Sequence, residues 1–216
     1  MKYRFVSIVS IQYFLWKIGL KYVKAFRWER NLAEKIPKII IKMPVDIRLA
    51  SIGDFKGSPI LKDEALKRLS KGDLGFIAIW NGMIIGYLWV SLKREAYIPE
   101  FERAISLKNG EAYLYDTFIF PDFRRKGLNK KLLEEMLHYL KSQNVKKANT
   151  YVLTTNKAPQ KALRALGFRP VRLVKFVKIF RFKKFEEHEL KARVEISNSF
   201  KKSLTLKDAS CAFKSR

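Results

Sequence analysis

Residues 116–137 read DTFIFPDFRRKGLNKKLLEEML, and the architecture of the chain turns on them. The first part is an apolar run closed by Pro121, as at the end of a strand. In the second, Leu128, Leu132, Leu133, Met136 and Leu137 recur at helical spacing, and Leu140 continues the stripe. Between them Gly127 stands among Arg124, Arg125, Lys126, Lys130 and Lys131. A helix N-terminus is already electropositive, so each exposed cation in its first turn is unfavourable by about 0.3–1 kcal/mol. A bound anion would offset that cost. In a strand-to-helix turn the unpaired amides and the helix dipole converge on one spot, and a glycine lets an anion approach the main chain. On these residues alone two readings stand: a phosphate cradle, or a solvated basic turn. The GxxxxGK[ST] loop and the glycine triplet of dinucleotide-binding folds are both missing from the sequence.

The flanking sequence reads as further elements. Ahead of the stretch, IRLASIGDF from Ile47 fits a strand entering a loop, and DEALKRLSKGD a helix closed by Gly72. LGFIAIW and MIIGYLWVS are joined by Asn81-Gly82, the dipeptide that supplies the positive φ angles of a two-residue hairpin. EFERAISL and EAYLYDTFIF suggest a second hairpin across Lys108, Asn109 and Gly110. After the stretch come a strand, KKANTYVLTT, and a short helix, NKAPQKALRALGF, with Pro159 near its first turn and Gly167 at its stop. RPVRLVKFVKIFRF reads as a last strand, and KFVKIFRFKKF as a sheet edge. This order predicts an α/β (α+β) domain with a mixed sheet flanked by helices over residues 45–185. A basic, partly disordered tail is expected over 186–216. Residues 1–44 predict a basic amphipathic helical arm: drawn as a helix, Lys17, Lys21 and Lys24 share one side, with Phe5, Ile8, Val9, Leu15, Trp16 and Val23 mostly opposite.

The 216 residues suffice for one sizeable core. Cys211 is the single cysteine, which excludes an internal disulfide framework and a cysteine-rich metal site, and fits a reducing, cytoplasmic setting. The net charge of +25 is spread along the chain: +8 over 1–44, +9 over 45–170 and +8 over 171–216. Such a field favours anionic partners without choosing among phosphorylated cofactors, nucleic acid and lipid. Phe5–Trp16 is an uncharged run too short to span a bilayer. Residues 1–30 therefore fit a helix against the chain's own domain, a homodimer partner, or the inner face of an anionic membrane. Nucleic acid is not expected, because no recognition motif is present.

The stretch resembles the acyl-CoA signature of the GNAT N-acyltransferase superfamily. There a strand ends in a hydrophobic, proline-like element, and Arg/Gln-x-x-Gly-x-Gly/Ala opens a helix. Arg124, Gly127 and Asn129 fall on the defining positions. Asn156 and ALRALGF match a second motif in the right order and spacing, and the resemblance covers roughly Val45 to Lys178. It implies a GNAT-like mixed, mostly antiparallel sheet. It also implies main-chain pairing of Phe118, Ile119 and Phe120 with the pantetheine arm of acetyl-CoA. The diphosphate would be held by the amides of Arg124, Arg125, Lys126, Gly127, Leu128 and Asn129, and Asn156 would lie near the thioester. No metal is implied.

Two positions depart from the pattern. Asn129 stands where Gly or Ala is usual. Leu163 stands where many members carry a tyrosine proposed to protonate the departing thiolate, and leucine has no proton to give. Transfer to an amine also needs a proton acceptor. Asp116 matches an acidic position of many members, and Glu100 and Glu102 are further candidates. Tyr113, Tyr115 and Tyr151 are candidate polar groups of the cleft, although aromatic strand residues more often belong to a core. His138, on the leucine-rich helix, reads as a surface residue. The expected activity is N-acetyl transfer to a small-molecule or peptide amine. The competing expectation is an acyl-CoA-binding module without catalysis, docking through its basic ends on nucleic acid or anionic membrane.

Overall fold

The computed structural model describes residues 19–55 and 59–190. Their centre is an eight-stranded sheet. In chain order its strands are β1 (Leu20–Asn31), β2 (Asp46–Leu49), β3 (Leu74–Trp80), β4 (Met83–Ser91), β7 (Glu111–Ile119), β8 (Lys147–Leu153), β9 (Arg169–Ile179) and β10 (Phe182–Glu189). They lie in the order β10-β9-β1-β8-β7-β4-β3-β2, and every neighbouring pair is antiparallel except β7 with β8. A separate two-stranded sheet pairs β5 (Glu95–Ile98) with β6 (Arg103–Ser106). The helices are α1 (Pro59–Ser70), α2 (Leu128–Ser142) and α3 (Lys157–Ala165).

Alternation along the strands builds a core on each side. On one face the leucine stripe of α2, with Ala162 and Leu163 of α3, meets Phe26, Trp28, Phe76, Leu88, Leu114 and Ala148 from the sheet. On the other, Ala65 of α1 covers Ile77 and Trp89. Beside it the β5–β6 hairpin covers Val23, Ala25, Val174 and Phe176 with Ala96, Ile98 and Phe101. The Asn81–Gly82 hairpin is as expected, with φ of 48° and 74° at its two turn residues.

Three expectations need correction. Residues 20–31 are not part of a helical arm: they form β1, an interior strand between β8 and β9. The part of that expectation falling on residues 1–18 lies outside the described residues. EFERAISL does not pair with EAYLYDTFIF. Its strand β6 pairs with β5, and β7 takes β4 and β8 as neighbours. The last strand is two, folded at Phe180 and Arg181, so that β9 is interior and β10 is the edge. The expected tail therefore begins as strand, through Glu189; residues 191–216 lie outside the described residues.

β1 also anchors the LGF motif. The buried Arg30 guanidinium donates from Nη1 to the Leu166 carbonyl and from Nη2 to Lys35 O at 2.9 Å. It fills the place a side chain at Gly167 would take, where φ is +79°. Gly167→Ala must both enter the left-handed region and displace a buried cation. It is expected to cost about 2–4 kcal/mol, read by urea denaturation.

Candidate functional site: a splayed strand pair and a basic turn

β7 and β8 pair only at Glu111 with Lys147, Ala112 with Ala148 and Tyr113 with Asn149. Beyond that, Leu114–Ile119 and Thr150–Leu153 run on without pairing to each other, each held on its outer side, by β4 and β1 respectively. Within the diverging stretch β7 carries a β-bulge against β4: Tyr115 opposes Trp89 and Phe118 opposes Tyr87, so Asp116 and Thr117 share Leu88, and Asp116 takes φ +44°. The result is a slot with an open main-chain edge.

The direction of the amides decides which residues serve that edge. Phe120 donates its N–H to Ile85 O of β4 at 3.0 Å, and its carbonyl accepts from Phe123 N at 3.0 Å. The Phe120 N–H is thereby committed to β4 rather than to the slot. By the alternation of a strand, the adjoining groups of Ile119 face the slot. Arg124 folds back over them, donating from Nε to Ile119 O at 2.9 Å, with its guanidinium 5.5 Å from the Phe118 ring centre.

After a 3-10 turn at Pro121–Phe123 the chain enters α2 through a left-handed residue at Arg125 (φ +64°) and another at Gly127 (φ +82°), with Lys126 outside that region. Such alternation aims successive N–H groups into one concavity, the geometry that holds anions. The amides of Arg125, Lys126, Gly127, Leu128 and Asn129 find no acceptor among the described residues. Ile41 Cγ2 lies 3.1 Å from the site of a Cβ on Gly127, so the glycine serves both the turn and a close contact. Asn129 has its buried Oδ1 without a partner among the described residues. At the far wall of the slot Asn156 caps α3 with an exposed side chain that makes no capping bond. Gln160 Nε2 ties that helix to β8 through Leu153 O (2.9 Å) and Thr154 O (3.1 Å). Leu163 is buried in the main core, and the α3 sequence contains no hydroxyl.

The three candidate carboxylates have different surroundings. Asp116 Oδ2 accepts from Arg68 Nη1 of α1, and Oδ1 has no partner among the described residues. Arg68 is also held by Glu64 at 3.0 Å, with its guanidinium 5.1 Å from the Trp89 ring and 5.2 Å from the Tyr115 ring. Glu102 is clasped by Lys183 and Lys178, which hold its pKa down at about 2, with Lys21 at 3.7 Å. So held, it takes no proton near neutral pH. Glu100 is exposed on the 3-10 turn Pro99–Phe101. Burial drives the phenols of Tyr113 and Tyr115 upward, and Tyr115 donates to Asp73 Oδ2 at 2.9 Å. Burial likewise raises Tyr87 and Tyr151. These four phenols therefore stay protonated. His138 is exposed on α2, at a groove it shares with Arg48, Phe76, Glu135 and Tyr139. Arg68, Asp73 and Tyr87 were not foreseen from sequence: Arg68 reads as an ordinary helix-surface cation, and its partner lies 48 positions on.

Comparison with known proteins places this arrangement. The family model described as Acetyltransferase (GNAT) family matches residues 50–168. A protein of Gracilaria tenuistipitata var. liui, named as an uncharacterized N-acetyltransferase ycf52, is 28% identical over 92 residues, 43% of this chain and 49% of its own. The chain thus spans about half the length of that relative. Among solved structures, an acetyltransferase from the GNAT family of Colwellia psychrerythraea has TM-score 0.51 at 16% identity, covering 81% of this chain and 63% of its own. A GCN5-related N-acetyltransferase of Sphaerobacter thermophilus has TM-score 0.51 at 13% identity, covering 86% and 59%. Both chains share the fold of the sheet and its helices. With the family model covering more than half of its 216 residues, including the slot and the basic turn, the chain belongs to the GNAT acetyltransferase family.

Proposed function

We propose that the chain transfers acetyl from acetyl-CoA to a primary amine by direct attack. The observation that carries this reading is the open slot between β7 and β8 leading into a concavity of unpaired amides at Arg125–Asn129. A diphosphate fits that concavity, and an extended amide-bearing arm fits the main-chain edge at Ile119. Bound acetyl-CoA would supply an activated acyl thioester. The chain's part is to bind and orient: amides and the α2 dipole on the diphosphate, strand N–H groups for the carbonyl, and Asn156 beside the arm.

Asp116 is the acceptor-side carboxylate of this proposal. Its free Oδ1 holds the incoming amine and takes the proton that must leave before attack. Glu102 is unsuited, being fixed by lysines, and Glu100 stands on the separate hairpin. Leu163 leaves α3 without a hydroxyl to protonate the thiolate, which departs unprotonated or takes its proton from water. The same leucine favours the rival reading of binding without turnover.

The test is thermal stabilisation by acetyl-CoA, followed by thiol release with a mixed pool of amines. Stabilisation with amine-dependent release is the expected result. Stabilisation alone would establish the binding module, and neither would end the enzyme assignment. Asp116→Asn is expected to leave stabilisation by acetyl-CoA unchanged while slowing amine-dependent release about 100-fold.

A further inference from the structure

At one corner the sheet outruns the helical cover that the described residues supply. β8 stops at Leu153, opposite Ala25, but β1, β9 and β10 continue until Leu20 pairs with Ile179 and Ile179 with Phe182. On the face that elsewhere carries α2 and α3, the overhang presents Phe182, Ile179 and Leu20 in one row. Val177 and Tyr22 lie in the next. Phe182 is 72% exposed, Tyr22 61% and Ile179 49%. Lys184, Lys175 and Lys24 flank these rows on the same face, with Glu186 paired to Lys184 at 2.8 Å.

The turn itself is unusual. Phe180 is 69% exposed and holds φ +52° at the first position of a two-residue loop, where glycine is the usual occupant. An aromatic residue there strains the backbone and places an apolar ring in water, so neither feature helps the fold. Gly19 packs on Phe180 and accepts its N–H at 2.8 Å.

We infer that this corner docks on an anionic lipid bilayer: Phe180, Phe182 and Ile179 enter the interfacial layer, and Lys24, Lys175 and Lys184 meet the headgroup phosphates. Exposed aromatic and aliphatic groups bordered by cations are what such a surface binds, through apolar burial and charge together. The chain's net charge of +25 acts in the same direction.

The experiment is flotation of the full chain with phosphatidylcholine vesicles and with vesicles that also contain phosphatidylserine. The expected result is binding to the second kind alone, weakening as salt is raised. The double variant Phe180→Gly with Phe182→Ser is expected to lose about tenfold or more of that partition. Its Tm should be unchanged or higher, because glycine accepts the turn. Phe180→Gly alone, which relieves the backbone, provides a second folded variant and should lose part of the binding. Absence of binding to either vesicle, equal binding to both, or undiminished binding by the variants would overturn the inference. So would light scattering that showed a dimer converted to monomer by the variants without any vesicle binding.

Discussion

Gly127→Glu abolishes acetyl-CoA binding in the expected result, measured by calorimetry or thermal shift, while the chain stays folded. Two effects act together. A side chain at φ +82° costs about 1–2 kcal/mol, and its Cβ would press on Ile41 Cγ2 at 3.1 Å. The turn must therefore shift, and with it the alignment of the amides from Arg125 to Asn129. The new carboxylate also brings negative charge to the concavity proposed to hold the diphosphate. Gly127→Ala separates the two: it carries the conformational cost without the charge, and should bind acetyl-CoA at intermediate affinity. The strain falls on the partly buried Ile41 at the margin of the core, so the leucine stripe of α2 is expected to hold the fold in either variant. Wild-type affinity in Gly127→Glu would sink the assignment of this turn.

Removing residues 1–31 is expected to leave a chain without a cooperative unfolding transition. Charge and hydropathy alone would let these residues be trimmed as part of an appendage. In the structure the cut deletes the strand that joins β8 to β9, exposing two hydrogen-bonding edges inside the sheet. It also removes Trp28, fully buried, with the Arg164 guanidinium 5.2 Å from its ring. Trp28→Ala in the full chain samples the packing share of this loss, expected at about 3–5 kcal/mol by denaturant titration. If the shortened chain melted cooperatively near the wild-type temperature, β1 would be dispensable.

Legibility in the sequence followed physical locality. The Asn81-Gly82 turn, the α2 stripe and the Leu-Gly-Phe stop are each specified within a few residues, and each lies where the sequence indicates. The basic turn was legible because a glycine among cations ahead of a helix is a local contradiction that a bound anion would offset. β1 was hidden because, from Val23 to Trp28, it buries residues on both faces. Val23 and Ala25 point to one core, Phe26 and Trp28 to the other, and no period of two survives to be read. Its spaced lysines then imitate a helix. The partner of β6 was misread for a related reason. Gly110 does make a turn, with φ +80°, but a turn does not say which strands pair across it. The Arg68–Asp116 contact and the commitment of the Phe120 amide depend on register set across distant strands, which short windows cannot supply.

The placement of β1 also bears on how the chain comes to be folded. During synthesis this strand emerges well before its neighbours β8 and β9, and its outermost register pair joins Leu20 to Ile179. Its apolar residues must wait for β8 and β9 to be made before they can be sheltered. Loop closure over such separations is slow, so native structure forms late, and the nascent chain is prone to associate with other chains while that strand waits.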